Sequence, residues 1–326
     1  MTLSETGRLV IWIILIVALA VLSPRFMDVD NLREASRYLV TTGVMSATMT
    51  AVIITGGIDL SVGSILGMSG IVLGFTWQAG FPLPLAMLIG VLSGALAGLL
   101  NGICIVYGRI PPLIATLATL ALYRGIALAI SQAASVTNFP QWFQFFGQKN
   151  FAGIPAQMPL LIAVLAIAYI VLHRSRFGRM IYTVGDNETA ARFAAVPVDR
   201  VKLWLYTASG LSAGLAGVAF TAHANTAKAD AGTGYELDVI TCVVLGGTQI
   251  TGGKGTILGT ILGLLIVRTM IYGMHLLAVK TVVQTIVIGA VLIATAILNQ
   301  YIELWRERNR SQSTERSAAG VSANSS

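Results

Sequence analysis

The stretch Thr55–Ser64 reads T-G-G-I-D-L-S-V-G-S and places one carboxylate inside a long apolar region. Asp59 is the only acidic residue between Glu34 and Asp186. Because an isolated carboxylate in hydrocarbon is costly, it usually faces a bundle interior or an aqueous path. The flanking glycines interrupt a membrane helix and free backbone N–H groups that can bind an anion. We therefore expect a broken helix with a site at Asp59; the alternative is that Asp59 caps a helix starting near Leu60.

The composition is that of a membrane protein. Of 326 residues, 55% are apolar and 11% are charged, and the mean hydropathy is +0.78. A soluble domain has about 25% charged residues. The net charge of +7 comes mainly from loops and the carboxyl-terminal region, and no basic run is interleaved with aromatic residues. The charge therefore indicates membrane orientation rather than nucleic-acid binding.

Apolar runs long enough to cross a bilayer recur along the chain. A spanning helix needs about 20 apolar residues, or slightly fewer where flanking arginines reach the interface. On that basis we predict an all-α polytopic membrane protein with about ten transmembrane helices and interrupted glycine-rich segments. The predicted helices are 8–23, 38–55, 64–80, 84–107, 113–132, 159–173, 203–222, 236–250, 256–274 and 281–299.

A second glycine-rich stretch resembles the first. G-S-I-L-G at 63–67 is matched by G-T-I-L-G at 255–259, and both follow a glycine-punctuated turn. Duplicated halves with interrupted helices in corresponding positions are one way in which transporters build a pathway at the membrane midplane. The sequence thus indicates a possible internal repeat.

We divide the chain into a transmembrane domain, 1–300, and a tail, 301–326, predicted to be cytoplasmic and disordered. Residues 174–202 are the longest polar stretch before the tail, and Asp186 or Asn187 can cap a short helix within it. The distribution of Lys and Arg favours a cytoplasmic location for this loop and for both termini.

The chain contains no recognisable catalytic motif. Around Lys254 the phosphate-binding pattern fails twice, because Thr248 replaces its first glycine and Gly255 replaces its hydroxyl residue. Neither H-E-x-x-H nor G-x-S-x-G occurs. We therefore expect no enzymatic activity, and any ATP that powers the protein must be hydrolysed by another chain. Arg124 and Arg268 lie in apolar segments, and we expect them to reach the interface or to contact backbone carbonyls rather than to form a proton relay.

Ordered motifs along nearly the whole chain resemble those of one family, the ribose-type membrane permeases of bacterial ATP-binding-cassette importers. L-Y-R-G at 122–125, G-D-N at 185–187 and A-G-T-G-Y-E at 231–236 are most similar to its autoinducer-2 permeases. The motifs that carry the family resemblance are G-G-I-D-L-S-V-G-S at 56–64, A-G-L-L-N-G at 97–102, R-I-P-P-L-I-A-T-L-A-T at 109–119, G-R-M-I-Y-T-V-G-D-N-E-T-A-A-R at 178–192 and V-L-G-G-T-Q-I-T-G-G-K-G-T at 244–256.

The resemblance implies a set of partners and a location. It implies a second permease subunit, like or unlike, two ATPase subunits on the cytoplasmic side, and a periplasmic binding protein that delivers the solute, all at the bacterial inner membrane. ATP would be bound by the partner, with no cofactor in this chain. The loop at 178–202 matches the coupling segment of the family, so the resemblance assigns ATPase docking to Gly185, Asp186, Asn187 and Ala190.

Three polar residues in apolar runs are candidates for the solute path: Asp59, Ser61 and Asn101. The function expected is that of a permease subunit for a monosaccharide or sugar-like solute, with autoinducer-2 import as the alternative. A self-contained, ion-coupled secondary transporter is an alternative of another class, and the sparse intramembrane charges disfavour it.

Overall fold

The computed structural model describes residues 5–151, 153–298 and 300–301, and within them it confirms the all-α class. The described strands are β1 (Asn150–Phe151) and β2 (Ile154–Pro155), which form one hairpin. The helices are α1 (Glu5–Leu22), α2 (Val29–Ile54), α3 (Val62–Gln78), α4 (Leu83–Val106), α5 (Pro112–Ser131), α6 (Gln141–Gln148), α7 (Met158–Arg174), α8 (Arg176–Asp186), α9 (Glu188–Phe193), α10 (Val198–Ala224), α11 (Tyr235–Leu245), α12 (Ile257–Leu276) and α13 (Thr281–Leu298). The tail prediction at 302–326 lies outside the described residues.

Every predicted transmembrane segment contains a helix, but the helices differ in length. Among the described residues, 7 helices are long and apolar enough to cross a membrane, or up to 8 if α7 and α8, which meet at 70°, form one bent span. α3 has 17 residues and α11 has 11. At 1.5 Å per residue α11 is about 16 Å long, roughly half of a hydrocarbon core of about 30 Å. The predicted end at 250 was wrong, because the chain turns at Gly247, whose φ is +87°.

The loops lie on two faces of the bundle. The face that carries residues 107–111, 175–197 and 246–256 is called the coupling face, and the face that carries 132–157 and 225–234 is called the opposite face. On the opposite face Arg37 of α2 donates to the side chain of Asn150 at 3.1 Å. On the coupling face the N–H of Gly253 donates to the carbonyl of Ile54, the last residue of α2, at 2.9 Å. α2 therefore runs from the opposite face to the coupling face.

Glycines bring α4 and α10 into close contact. Gly90, Gly94, Gly98 and Gly102 recur every four residues on α4, and the last three of them face α10. A Cβ on Gly210 of α10 would lie 2.6 Å from the Cα of Gly98, which is closer than real side chains approach. Small residues at this spacing let membrane helices pack backbone against backbone. The result is a rigid pair beside the broken helix.

α2 lies at the centre of the fold, and hydroxyl groups join it to its neighbours. The side chains of Thr48 and Ser212 of α10 are 2.6 Å apart, and those of Thr50 and Thr260 of α12 are 2.7 Å apart. Such interhelical hydrogen bonds stabilise packing where no water competes. α2 is thereby tied to α10 and to α12, the helix that follows the second glycine-rich segment.

Candidate pathway and coupling site

Asp59 lies in the break between α2 and α3 and is fully buried. One carboxylate oxygen accepts hydrogen bonds from the backbone N–H of Ser61 at 3.0 Å and from its hydroxyl at 2.6 Å. The other oxygen accepts from the hydroxyl of Ser209 on α10 at 2.8 Å. These donors replace the hydration that burial removes. Asp59 thus shapes the turn before α3 and joins that turn to α10.

Asn101 of α4 extends the same set of hydrogen bonds. Its amide nitrogen donates to the hydroxyl of Ser61 at 2.7 Å, and its carbonyl oxygen accepts from the hydroxyl of Tyr123 of α5 at 3.0 Å. Both Asn101 and Tyr123 are buried. A continuous polar chain therefore crosses from α10 through the α2–α3 break to α4 and α5. We call Asp59, Ser61, Asn101, Tyr123 and Ser209 the Asp59 network.

The structure brings the three predicted path residues, Asp59, Ser61 and Asn101, into direct contact, and it leaves none of them exposed. Their role as path-lining groups stays a prediction. The expected capping function is partly realised, since the Asp59 carboxylate binds the N–H of Ser61, the residue that precedes α3. The sequence reasoning missed Ser209 and Tyr123, because a single hydroxyl in an apolar helix carries no signal until its partner is known.

The two glycine-rich breaks meet at the coupling face. The N–H of Gly253 binds the carbonyl of Ile54, and a Cβ on Gly252 would lie 3.2 Å from the backbone nitrogen of Gly56. Gly252 and Gly253 have positive φ of +94° and +76°, where other residues are strained. The matched motifs at 63–67 and 255–259 both lie at the start of a helix, α3 or α12. The local geometry is in keeping with the predicted repeat.

The helix pair α8 and α9, which we call the coupling segment, contacts this junction through α8. Gly185 of α8 lies so close to the carbonyl of Ile54 that a side chain there would overlap it, and it also contacts Gly253 and Gly252. Tyr182 of α8 donates to the carbonyl of Gly255 at 2.7 Å. The end of α8 therefore touches both breaks at once.

The predicted docking residues after Gly185 face outward. Asp186, Asn187 and Ala190 are at the surface, and Asn187 caps α9 by accepting from the N–H of Ala190 at 2.9 Å. Phe193, at the end of α9, is 88% exposed. Aromatic residues, Phe among them, are enriched at the cores of protein–protein interfaces, which makes Phe193 a candidate contact for a partner. The sequence reasoning did not single out Phe193.

Ion pairs hold α9 on the start of α10. Glu188 accepts from Lys202 at 2.6 Å and from Arg192 at 3.1 Å, and Arg192 also binds Asp199 at 2.6 Å. Partial burial raises the pKa of Glu188, but hydrogen bonds from Lys202 and Arg192 outweigh it and hold that pKa below its usual value. The carboxylate is therefore ionised at neutral pH. These pairs compensate for the short length of α9, which would be marginal alone.

The two intramembrane arginines have different partners. Arg124 of α5 donates to the backbone carbonyls of Ala229 and Ala231, as predicted. Arg268 of α12 departs from the prediction, because it pairs with the carboxylate of Asp238 at 3.5 Å. Asp238, in the first turn of α11, is the sequence signal that could have predicted this pairing. Among the described residues no cluster of three metal-ligating side chains occurs.

A cavity of about 410 Å³ lies beside this ion pair, between α2, α11, α12 and α13. A second cavity, of about 580 Å³, lies on the coupling face between the α4–α5 turn and α9, and Arg109, Glu188 and Arg192 are among its lining residues. These two cavities lie at opposite faces of the bundle. None of Asp59, Ser61 and Asn101 lines either cavity.

Comparison with known proteins agrees with this architecture. The family described as "Branched-chain amino acid transport system / permease component" matches residues 32–296. The ribose import permease protein of Bacillus subtilis (strain 168) is 37% identical over 289 residues, which cover 88% of this chain and 90% of the relative. The autoinducer 2 import system permease protein of Escherichia coli (strain K12) is 34% identical over 310 residues, covering 93% and 94%. No solved structure matches the chain.

The long apolar helices, two of them separated from their neighbours by broken segments, define a multi-pass membrane protein. The chain belongs to the family of permease components that matches most of its length.

Proposed function

We propose that the chain is the membrane-spanning permease subunit of an ATP-binding-cassette importer for a monosaccharide or sugar-like solute, in the inner membrane of a bacterium. ATP is bound and hydrolysed by partner ATPase subunits, and this chain carries neither cofactor nor catalytic group. It works with a second permease subunit, like or unlike, and with a periplasmic binding protein. The coupling face and both termini are cytoplasmic.

The observation that carries the proposal is the contact of α8, the helix that carries α9, with both broken segments. Gly185 contacts Ile54 on one side and Gly253 on the other, while the Phe193 side chain is left open to the surroundings. Force applied to α9 from outside therefore reaches the turn that contains Asp59 and the turn before α12 together. Such a linkage is what an ATPase partner needs in order to move the pathway.

The relatives support two solutes. Their names refer to ribose in one case and to autoinducer 2 in the other, at similar identity and coverage. We favour a monosaccharide and keep autoinducer-2 import as the alternative. For the path through this subunit we propose Asp59, Ser61 and Asn101, exposed when α10 moves away from the α2–α3 break.

The solute is tested by radiolabelled uptake in cells that carry the whole transport system, with and without this chain. Loss of ribose or rhamnose uptake supports the monosaccharide, whereas loss confined to autoinducer-2 supports the alternative. Uptake that needs an ion gradient and no ATPase subunit would contradict both.

Binding of the ATPase subunits to the coupling segment is tested with the substitution Phe193→Ala. We expect co-purification of the ATPase subunits to fall by about tenfold or more, because truncating a central aromatic contact commonly removes about 2 kcal/mol or more of binding energy. Tyr301→Ala removes a side chain that is also highly exposed, at 71%, but lies outside the coupling segment, and it should bind the ATPase normally. Normal binding by Phe193→Ala would argue against this docking surface.

A further inference from the structure

The cavity near the opposite face contains a buried charge with unused hydrogen-bond donors. The Arg268 side chain is 7% exposed, and one of its terminal nitrogens lies 3.5 Å from the carboxylate of Asp238. Its other terminal nitrogen and its Nε have no hydrogen-bond partner among the described residues. Buried donors of this kind are rarely left unmatched in native proteins. Arg268 lines the cavity, but its Nε and second terminal nitrogen are enclosed by protein in this conformation, so a ligand in the cavity reaches them only after the guanidinium turns towards it.

The surroundings of Arg268 combine an aromatic face with a balanced set of charges. The guanidinium carbon lies 5.3 Å from the ring centroid of Tyr235, and both side chains line the cavity with Asp238. The other lining carboxylate, Glu34, already pairs with Arg37 and with His223. Because Asp238 balances Arg268, the cavity does not call for a charged ligand.

These groups fit one class of molecule. A hydroxyl group can accept from the guanidinium of Arg268 and donate to the carboxylate of Asp238, and an adjacent pair of hydroxyls can do both at once. The apolar face of a small ring can lie against an aromatic side chain such as Tyr38 or Tyr272, which also line the cavity. The volume of about 410 Å³ is in the range of small-molecule sites.

We propose that this cavity, next to Arg268, Asp238 and Tyr235, receives a neutral polyhydroxylated solute of monosaccharide size before it passes through the bundle. The inference rests on the proposed importer function and adds a site to it. It also accounts for an arginine and an aspartate kept in an apolar bundle, where ionisable residues are costly.

The site is tested first by a block that leaves the ion pair intact. Thr285 of α13 lines the cavity, whereas its neighbour Ile286 does not and is 64% exposed. With ribose as probe and the full transport assembly, Thr285→Phe should lower the maximal uptake rate by about tenfold or more. The matched variant Ile286→Phe should transport normally. Equal uptake by the two variants overturns the site.

The second test measures occupancy without transport. The assembly carries Thr285→Cys with Cys104→Ser, since the remaining cysteine, Cys242, is buried. Ribose should slow labelling by a membrane-impermeant thiol reagent at least threefold, while glycine betaine, which has no hydroxyl group, should not. Adding Arg268→Gln should abolish that protection, and Ile286→Cys should show none.

The outcomes separate the site from the transport function. Uptake of ribose without protection of Thr285→Cys overturns the site and leaves the importer function standing. Protection in an assembly whose uptake needs no ATPase subunit supports the site and contradicts the importer. Protection by a short-chain phospholipid but not by ribose assigns the cavity to lipid and overturns the proposal.

Discussion

Asp59 shows how a buried carboxylate is kept in an apolar bundle. Two hydroxyls and one backbone N–H surround it, and they come from the turn before α3 and from α10. Arg268 is the contrasting case, because only one of its nitrogens lies near a carboxylate. The first residue has a complete set of donors, whereas the second has donors that no described residue accepts from. We propose that the first organises the fold and that the second contributes to a binding site.

Replacement of Asp59 tests its part in the network. Asp59→Ala leaves the N–H of Ser61 and the hydroxyl of Ser209 without their acceptor, at roughly 1–3 kcal/mol for each unsatisfied group. We expect a lower unfolding temperature in detergent and loss of uptake. Asp59→Asn keeps one acceptor and should be affected less. Asp30→Ala is the control, because that carboxylate is 88% exposed. Equal unfolding temperatures for Asp59→Ala and Asp30→Ala would contradict the network.

At the scale of elements, the coupling segment depends on backbone contact rather than on side chains alone. Gly185 lies against Ile54 and Gly253, where no Cβ fits, and Tyr182 binds the carbonyl of Gly255. Contacts between backbone atoms are stiff because they have no rotamers to absorb displacement. The segment and the two broken turns are therefore expected to move as one body.

The substitution Gly185→Ala tests this contact between α8 and the two breaks. The added methyl group overlaps the carbonyl of Ile54, so the end of α8 must shift away from the breaks. We expect ATP hydrolysis by the assembly to lose its dependence on the loaded binding protein, with uptake reduced about tenfold or more. Gly125→Ala introduces the same methyl group where nothing lies within 4 Å, and it should be neutral. If ATP hydrolysis by the Gly185→Ala assembly still depends on the loaded binding protein, the contact of Gly185 with the breaks does not transmit motion.

The cap of α9 is tested at Asn187. Asn187→Ala removes the acceptor for the N–H of Ala190 and should destabilise the helix end by about 0.5–2 kcal/mol. Faster hydrogen exchange across α9 and weaker ATPase binding should follow. Asn187→Ser retains a capping oxygen and should restore both properties. If Asn187→Ser does not restore ATPase binding, Asn187 contacts the ATPase directly and does not act only by capping α9.

The ion pairs of Glu188 predict that the stability of α9 falls when the pH is lowered. Because the folded-state pKa of Glu188 lies below its usual value, its ion pairs stabilise α9 at neutral pH and lose that effect as the pH falls below about 4. Wild type and Glu188→Gln should therefore differ in hydrogen exchange of α9 at pH 7 and converge in acid. A difference that disappears between about pH 8 and pH 6 would exclude Glu188 as its source.

At the scale of the whole molecule, the helices connect two faces that carry different structural features. The opposite face carries the cavity at Arg268 and the hairpin β1–β2, and the coupling face carries α8, α9 and the junction of the two breaks. The Asp59 network is held by α4, α5, α10 and the α2–α3 break. In the proposed function these parts serve as a receiving site, a controlled passage and a docking surface.

Cysteine labelling tests the orientation of the two faces. In a background with Cys104→Ser, Phe151→Cys on the opposite face should react with an impermeant thiol reagent in spheroplasts. Ala190→Cys on the coupling face should react only after the membrane is opened. Labelling in the reverse pattern would place the docking surface outside the cell and contradict the proposed function.

The sequence by itself determined the helical class, the positions of the breaks and the residues that gather at them. Apolar run length and glycine spacing are local properties, so α2, α3 and the break between them could be predicted from the chain. The capping residue likewise predicted α9, whereas the ATPase docking that the ribose-type motifs imply for Gly185 and Asn187 stays a prediction. Each of these signals lies within a few residues of the feature it predicts.

Only the tertiary structure decided which distant groups meet. The partners Ser209 and Tyr123 of the Asp59 network, the pairing of Arg268 with Asp238 and the contact of Gly185 with both breaks join residues far apart in sequence. The early end of α11 also depends on a contact between residues distant in sequence, because Gly246 packs against the start of α12. A single hydroxyl or glycine has many possible partners, and the packing of the helices selects one.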